Sequence, residues 1–294
     1  MKKILVLGSS GQLGRCILDS KANNHNYVHF SHKDLSISDL QGIRKKILIE
    51  KPEYIINCAA YTNVEMAEKH SSQAFKVNAE SIENLASVSE EIGSTLIHFS
   101  TDYVYGGNSK EPYKELDSKN PLNVYGKSKL LADEWIEKIC SKFYIFRISS
   151  VFSQYGNNFL NTMLNHVADK ELNLVTDQFM KPTSARSLAE FLSKNFELES
   201  FRSQEYGIYN FSTSKNSLSW FDFAYNIFEL SLEYGYIDNY PSLNAIYSNQ
   251  LESGLKRPLY TVLDNTKLQK VFGYNEPLIE EVLKKDLKVI FNSS

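Results

Sequence analysis

A tyrosine and a lysine stand four residues apart in the run Tyr125-Gly126-Lys127-Ser128-Lys129. Residues at this spacing share one face of a helix. A lysine ammonium favours a nearby phenolate, so we expect the pKa of Tyr125 to fall toward the working pH. Upstream, Thr101 in Ser100-Thr101-Asp102 can hold the oxygen of a carbonyl that is being reduced. Thr101, Tyr125 and Lys129 are therefore the predicted catalytic residues of a carbonyl reductase.

A glycine-rich turn near the start of the chain places Gly8, Gly11 and Gly14 three residues apart. It follows an apolar run and precedes a helical pattern, which is the context of a dinucleotide-binding turn. There Gly8 permits the tight turn, Gly11 lets the backbone approach a pyrophosphate, and Gly14 allows close helix–strand packing. The N-terminus of the following helix suits the same anion. A nicotinamide cofactor is favoured over the alternative of a glycine turn without a ligand.

Residues after the second predicted strand determine whether NADPH or NADH binds, and the sequence there is Ser31-His32-Lys33-Asp34. An acid there binds the ribose 2′-hydroxyl, and a base accepts a 2′-phosphate. Both types are present, but no acid ends the strand itself. The sequence favours NADPH because Lys33 can bind the 2′-phosphate, and NADH is the alternative. It is also open whether Lys33 and Asp34 are simply solvated and contact no cofactor.

The elements that must position these residues alternate along the first half of the chain. Short apolar runs predict strands at Ile4–Leu7, Tyr27–Phe30, Tyr54–Asn57, Thr95–Ser100 and Phe143–Ile148. Helical spacing predicts helices at Leu13–Asp19, Ser38–Glu50, Ser72–Ile92 and Pro121–Ile139. This alternation predicts an α/β fold with a Rossmann-type, doubly wound parallel sheet.

After Val151 the alternation changes, and the pattern predicts helices and strands in a smaller lobe. Helices are expected at Asn158–Val167, Ser184–Phe196, Ser219–Leu232 and Leu278–Ile290, and strands at Leu172–Val175 and Tyr206–Phe211. We therefore expect a dinucleotide-binding domain over residues 1–150 and a substrate-binding lobe over 151–294, with elements that can interleave. That lobe would close over the carboxyl edge of the sheet, where such folds bind ligands.

The composition excludes several other classes of function. The 294 residues are 42% hydrophobic and 23% charged, and the net charge of -3 gives no basic field for nucleic acid. No apolar run is long enough to span a membrane. Three widely spaced cysteines predict reduced thiols and a cytoplasmic location. The histidines show no metal-ligand spacing, so no metal site is expected.

The motifs together resemble those of the dTDP-4-dehydrorhamnose reductases, within the extended short-chain dehydrogenase/reductase family. The resemblance spans nearly the whole chain and includes the runs at 8–14, 57–65, 100–105, 121–126, 146–147, 156–159, 177–179, 182–183, 219–224 and 257–258. It implies reduction of a nucleotide-linked 6-deoxy-4-ketosugar by NAD(P)H, for cell-surface polysaccharide synthesis. A nucleotide sugar is thus the expected partner, and a homodimer is left open.

The resemblance also implies roles for further residues. Cofactor contacts are expected from Gln12, Leu13, Ala59, Ala60 and Tyr61, besides the glycines, Lys33, Tyr125 and Lys129; tight packing of the small residues is the alternative. Substrate contacts are expected from Val64, Thr101, Asp102, Tyr103, Ser150 and Gln178. Asn78 is either a support for Lys129 or a structural asparagine.

Departures from related families separate the remaining alternatives. Nucleotide-sugar dehydratases place a second acid after the Thr-Asp pair, whereas Tyr103 follows Asp102 here. Without that carboxylate, reduction fits better than dehydration. The reductases usually have tryptophan where this chain has Ser150, which leaves open a different ketosugar. A non-catalytic NADP-binding subunit, like the regulatory subunit of methionine adenosyltransferase, is the alternative outside catalysis.

Overall fold

A central parallel sheet organises the computed structural model, which describes residues 1–21, 24–203, 205–251 and 254–292. The strands are β1 (Lys3–Leu7), β2 (Asn26–Phe30), β3 (Tyr54–Asn57), β4 (Thr95–Thr101), β5 (Phe143–Ile148), β6 (Val151–Phe152), β7 (Glu171–Val175), β8 (Phe179–Met180), β9 (Thr183–Ser184), β10 (Gly207–Asn210), β11 (Leu218–Ser219) and β12 (Ser242–Ile246). Six of them form the central sheet in the order β10-β5-β4-β3-β1-β2, with parallel neighbours throughout.

Helices cover both faces of this sheet and build the smaller lobe. They are α1 (Gln12–Asp19), α2 (Leu40–Glu50), α3 (Val64–Lys69), α4 (Ser71–Phe75), α5 (Ser81–Glu91), α6 (Val124–Ile139), α7 (Phe159–Asn165), α8 (Ala185–Glu197), α9 (Ser200–Ser203), α10 (Trp220–Glu233), α11 (Thr266–Phe272) and α12 (Ile279–Asn292). The predicted doubly wound α/β fold is confirmed. In the part of the chain described here, no helix is both long and apolar enough to cross a bilayer.

Strand β1 shows how alternating side chains serve two cores at once. Ile4 and Val6 belong to the core beneath α1 and α8, whereas Leu5 and Leu7 belong to the core beneath α2, α5 and α6. Successive side chains of a strand point to opposite faces, so an apolar run such as Ile4–Leu7 is the natural centre of a sheet covered on both sides. This explains why Ile4–Leu7 is a continuous apolar run.

The second half of the chain contributes to both parts of the molecule. Strand β10 pairs with β5 at the edge of the central sheet, and α8 packs against α1. By contrast α7, α10 and α12 enclose a separate core that includes Leu160, Phe223 and Leu283. The elements after residue 150 therefore interleave with those before it, and the two-domain division stays a prediction.

A turn of π-helix interrupts the long helix predicted over Ser72–Ile92. Helix α4 continues through a π-helical segment, Lys76–Glu80, into α5. Such turns are rare and often lie at functional sites. This one contains Asn78, which is buried. The sequence predicts the helix but not the extra residue in its turn.

Candidate active site

The glycine turn after β1 is shaped by two close backbone approaches. Gly8 has a φ of +73°, and a Cβ there would lie 2.6 Å from the backbone nitrogen of Ala59. A Cβ on Gly14 would lie 2.4 Å from the Gly8 carbonyl oxygen. At Gly11 the same atom would meet only the Gly8 oxygen, at 3.4 Å. Gly8 and Gly14 are thus required by the fold, while Gly11 leaves room above the turn.

Helix α1 begins directly after this turn with its N-terminus uncapped. No side chain caps Gly11, and the first turn carries no acidic residue. The unpaired N–H groups and the positive end of the helix dipole suit a phosphate. The Gln12 side chain accepts hydrogen bonds from Ser153 Oγ (3.1 Å) and Asn158 Nδ2 (2.9 Å). The anion site predicted from the glycines is therefore joined to the smaller lobe.

A cleft of about 640 Å³ opens from this turn to the ends of β3 and β4. Most of the predicted site residues line it: Gly11, Gln12, Leu13, Ala59, Ala60, Val64, Thr101, Asp102, Tyr103, Tyr125, Lys129 and Ser150. Five other predicted residues are outside this lining: Gly8, Gly14, Lys33, Tyr61 and Gln178. The structure thus brings the catalytic candidates and the glycine turn to one cleft.

The end of β2 carries the residues expected to choose the cofactor. The Asp34 carboxylate accepts hydrogen bonds from the Ser31 backbone N–H (2.9 Å) and Oγ (2.6 Å), and these bonds lower its pKa. Asp34 is therefore used to close a turn at the strand end. The Lys33 side chain is exposed.

Thr101 is the last residue of β4, and Asp102 begins the single 3₁₀ turn that follows it. Thr101 Oγ1 accepts a hydrogen bond from the Tyr103 backbone N–H (3.2 Å) and lies 3.1 Å from Asp102 Oδ1. Ser149 Oγ donates to Asp102 Oδ2 (2.7 Å). Burial raises the pKa of Asp102, and its hydrogen bonds oppose that effect. Asp102 therefore anchors the turn that presents Thr101 and Tyr103 to the cleft.

Tyr125 lies in the first turn of α6, where a side-chain cap fixes the helix start. Asn123 Oδ1 accepts a hydrogen bond from the Gly126 N–H at 2.8 Å. The Tyr125 ring packs edge-on against Tyr103, with centroids 6.1 Å apart, and Thr101 is near enough to its hydroxyl to influence the pKa of the phenol. The two predicted residues that act on the carbonyl oxygen are thus close together.

The lowered pKa expected for Tyr125 is not found. Burial raises the pKa of this phenol, and the nearby Thr101 hydroxyl only partly opposes the effect. Lys129 does not counter it, because its amine lies 2.7 Å from the Phe99 carbonyl oxygen and 2.9 Å from His98 Nε2. The prediction was wrong because helical spacing places Lys129 on the same face but does not fix its partners.

Lys129 itself is buried, with only 2% of its surface exposed. Burial lowers its pKa to about 8, and the Asp133 carboxylate one turn later opposes that effect. Asp133 is paired with Arg147 of β5 through a 3.1 Å contact. This fully buried ion pair fixes α6 against the sheet and so sets the position of both Tyr125 and Lys129.

Asn78 of the π-helical turn supports a neighbouring loop. Its side chain accepts from the Tyr61 N–H (2.8 Å) and donates to the Tyr61 carbonyl (3.0 Å) and to Ser128 Oγ (3.0 Å). These bonds give Asn78 a structural role, and its support of Lys129 stays a prediction. Asn78 fastens the backbone after β3 to α6 beside Lys129.

Ser150 lies between the main cleft and a small neighbouring cavity. Its φ is +44°, an unusual value for a residue with a side chain. The small cavity, about 10 Å³, is also lined by Gln178 and Trp220, whose indole Nε1 donates to Gln178 Oε1 at 3.2 Å. Gln178 therefore reaches the site region through this second cavity.

Several residues that line or support the cleft were not assigned from the sequence. Arg257 and Trp220 line it, and both lie in runs that carry the family resemblance. Asn57 lines it and bonds His98, which in turn bonds Lys129. A histidine between the apolar residues Ile97 and Phe99 of β4 was the available signal, because a buried polar side chain needs partners.

The molecule has a Rossmann sheet with a glycine turn at its switch point, and a Thr–Tyr–Lys group in the adjoining cleft. These features define an NAD(P)-dependent oxidoreductase. The chain belongs to the RmlD substrate binding domain family, which matches residues 1–290.

Known members of this family resemble the chain over nearly its whole length. It is 36% identical to a dTDP-4-dehydrorhamnose reductase of Aggregatibacter actinomycetemcomitans, over 97% of this chain and 98% of that one. A crystal structure of such a reductase orthologue from Clostridium acetobutylicum is 33% identical, with a TM-score of 0.89 over 98% and 99% of the chains. The Bacillus anthracis reductase, solved with NADP, is 28% identical with the same TM-score and coverage.

Proposed function

We propose that this protein reduces the C4 ketone of dTDP-4-dehydrorhamnose with NADPH, in the synthesis of rhamnose for surface polysaccharides. The observation that carries the proposal is that Thr101, Tyr125 and Lys129 line one cleft that also opens on the glycine turn at Gly11. The relatives named above carry the same activity in their names. Three unpaired cysteines support a cytoplasmic reaction.

The cleft fits a dinucleotide on grounds of its own geometry. The space above Gly11, the uncapped start of α1 and the small side chains of Ala59 and Ala60 leave backbone accessible along one wall. These residues would hold the pyrophosphate and adenosine portion, with Lys129 near the nicotinamide end. When bound, the cofactor supplies a hydride to the ketone carbon.

The chain's own residues handle the ketone oxygen. Thr101 would orient that oxygen, and Tyr125 would donate a proton to it as negative charge develops. A proton donor must be protonated at the working pH. Burial raises the pKa of Tyr125 and so keeps the phenol in its acid form, which suits reduction. Arg257 lies at the same cleft, in ion-pair contact with Glu65 at 3.2 Å, and would face the charged part of a nucleotide sugar.

Consumption of NADPH with a panel of nucleotide 4-ketosugars tests the proposal. We expect rapid oxidation with dTDP-4-dehydrorhamnose and formation of dTDP-rhamnose, detected by chromatography of the nucleotide sugars. Turnover of a different ketosugar alone would support a related reductase. Tight NADPH binding without turnover of any ketosugar would support a non-catalytic subunit and overturn the proposal.

Ser150 gives one specific reason to keep a different ketosugar as a second candidate. We predict that Ser150→Trp improves activity on dTDP-4-dehydrorhamnose, because an indole against the sugar adds about 1–3 kcal/mol of contact. Ser150 holds a φ of +44°, which a bulky side chain adopts less readily than serine, so thermal unfolding of the variant accompanies the kinetics as a control. The 10 Å³ cavity beside it cannot hold an indole, which must therefore enter the main cleft.

The comparison of both substrates on both proteins separates the two candidates. If the cleft serves a bulkier sugar, Ser150→Trp should reduce kcat/KM on that sugar. The same variant should then raise kcat/KM on dTDP-4-dehydrorhamnose only slightly. If the wild type is already efficient on the rhamnose precursor and the variant changes nothing, Ser150 does not set the specificity.

Lys33 is predicted to give a modest preference for NADPH. Its exposed ammonium follows β2, and Asp34 is already bonded to Ser31. We expect Lys33→Ala to lower kcat/KM for NADPH by about fivefold, since one exposed charge contact is worth roughly 1 kcal/mol, and to leave kcat/KM for NADH nearly unchanged. Lys21→Ala, which removes another exposed cation, is the control. Equal efficiency of the wild type with both cofactors would contradict the prediction.

A further inference from the structure

The loop over residues 153–158 rests on the first turn of helix α1, beside the cleft. Gln12 Oε1 accepts hydrogen bonds from Asn158 Nδ2 (2.9 Å) and Ser153 Oγ (3.1 Å). A Cβ on Gly156 would lie 3.2 Å from Gln12 Cγ, so the loop backbone also covers the stem of this side chain. Gln12 and Gly156 both line the cleft in which we place the cofactor. The loop therefore contacts the part of the protein that would hold the pyrophosphate.

A second set of contacts holds the same loop to α1 further along the helix. The Arg15 guanidinium lies over the Tyr155 ring, 3.7 Å from its centroid. The Tyr155 hydroxyl donates to Asp19 Oδ2 at 2.7 Å. The loop is thus fixed to the helix at several points, and the folded structure sets its position relative to Gln12.

Asn158 decides which way the Gln12 amide faces. Asn158 is the N-cap of α7, and its Oδ1 accepts from the Asn161 backbone N–H at 3.0 Å. A backbone N–H can only donate, so the Asn158 amide nitrogen must point the other way. That nitrogen lies 2.8 Å from the Ser153 carbonyl oxygen and 3.1 Å from that of Tyr155, and both oxygens can only accept. It therefore donates to Gln12 as well, which must present its oxygen.

The amide nitrogen of Gln12 is left for the cleft. The Ser153 hydroxyl can donate or accept, so it suits either orientation and leaves the choice to Asn158. Within the part of the chain that the structure describes, Gln12 Nε2 has no hydrogen-bond partner. It carries two donors, and the side chain lines the cleft directly after Gly11. These donors are therefore available where a pyrophosphate would approach α1.

We propose that the Gln12 side-chain amide donates to the cofactor pyrophosphate, and that Asn158 is the positioning residue that turns the amide this way. The inference rests on the proposed function for the presence of a dinucleotide in this cleft. A hydrogen bond to a charged phosphate is stronger than one between neutral groups. A reversed amide would present its oxygen to the same negative charge. The smaller lobe, through Asn158, thus contributes to the affinity for the cofactor.

Asn158→Asp should reverse the Gln12 amide. The carboxylate still accepts from the Asn161 N–H, and aspartate is as good an N-cap as asparagine. Its second oxygen replaces the donor, so Gln12 must turn its nitrogen toward residue 158 and its oxygen toward the cleft. We expect the Kd for NADPH, measured by isothermal titration, to rise about tenfold or more, the size of one hydrogen bond to a charged group. The Kd for NADH should rise equally, since both cofactors carry the pyrophosphate.

A double-mutant cycle separates the orientation of the amide from the charge of the new carboxylate. Gln12→Met keeps the length of the side chain without its amide, and alone should raise the Kd for NADPH by about tenfold. In this background Asn158→Asp should have a clearly smaller effect than in the wild type. Asn165→Asp, at an exposed position of α7, adds the same charge and should leave the Kd unchanged. An equal effect of Asn158→Asp in both backgrounds would overturn the inference.

Steady-state kinetics and thermal unfolding distinguish this positioning role from a merely structural one. Asn158→Asp should raise KM for NADPH and leave kcat within about twofold, because only the binding of the cofactor is weakened. If this variant is unstable, Gln12→Glu asks the same question. One of its carboxylate oxygens takes the bonds from Ser153 and Asn158, and the other faces the pyrophosphate. Its Kd for NADPH should rise at least as much as in Gln12→Met, and an unchanged Kd would overturn the inference.

The outcomes also separate this inference from the proposed function. A wild type that binds neither NADPH nor NADH would overturn both. Tight NADPH binding that is insensitive to Gln12→Met would overturn the inference alone. Failure to reduce any ketosugar, with the expected changes in Kd, would support the inference and count against the proposed function.

Discussion

Tyr125→Phe should reduce kcat by about a hundredfold or more while the affinity for NADPH stays within about twofold. The substitution removes only the hydroxyl that lies near Thr101. The ring keeps its edge-on contact with Tyr103, so the cleft keeps its shape. Steady-state kinetics with the ketosugar and fluorescence titration with NADPH measure the two quantities separately.

A second tyrosine gives the matched control for this experiment. Tyr225→Phe on the exposed part of α10 loses a hydroxyl outside the cleft and should leave both quantities unchanged. If Tyr125→Phe kept near-normal turnover, the proton would come from another group. Asp102 would then be the candidate, because burial raises the pKa of its carboxyl.

Much of the fold could be predicted from the sequence because its physical causes are local. Each core strand is a short apolar run, and each covering helix has apolar residues at helical spacing. Parallel order and right-handed crossovers then leave few topologies. Strand β12 was not predicted, since Ser242–Ile246 alternates only weakly and none of its five side chains is fully buried.

The composition of the site could also be predicted, but not its electrostatics. The order of the glycines, Thr101, Tyr125 and Lys129 along the chain points to one edge of the sheet. The partners of Lys129 depend on where β4 places His98 and on the way Asn57 is oriented by Ala59. These contacts join β3, β4 and α6 through residues 31 and 41 positions apart in sequence, and no local pattern reports them.

The same limit explains the error in the pKa of Tyr125. From the sequence, a lysine one helical turn away is the nearest charge and should favour the phenolate. In the structure, desolvation of the phenol dominates, and the lysine amine is held by His98 and Phe99. Burial is a property of the assembled cleft, which includes side chains from both halves of the chain.

Gly11→Val should reduce the affinity for NADPH at least about a hundredfold in a protein that still folds. A Cβ at Gly11 meets only the Gly8 oxygen at 3.4 Å, an ordinary contact, and φ at Gly11 is -74°, which valine adopts easily. The added side chain would instead occupy the space above the turn, where the pyrophosphate must approach the start of α1. Isothermal titration with NADPH and thermal unfolding measure affinity and folding independently.

Two further variants are the controls for this result: Gly8→Ala, which should disturb the fold, and Gly254→Val, which should have no effect. Alanine at Gly8 would place its Cβ 2.6 Å from the Ala59 nitrogen at a φ of +73°, so we expect a clear loss of thermal stability. A Cβ at Gly254 would meet nothing within 4 Å, so Gly254→Val should change neither property. If Gly11→Val bound NADPH as tightly as the wild type, the pyrophosphate would not lie over this turn. If it unfolded as Gly8→Ala should, Gly11 would serve the fold and not the cofactor. Loss of binding in a stable protein is the outcome that only the proposed cofactor site predicts.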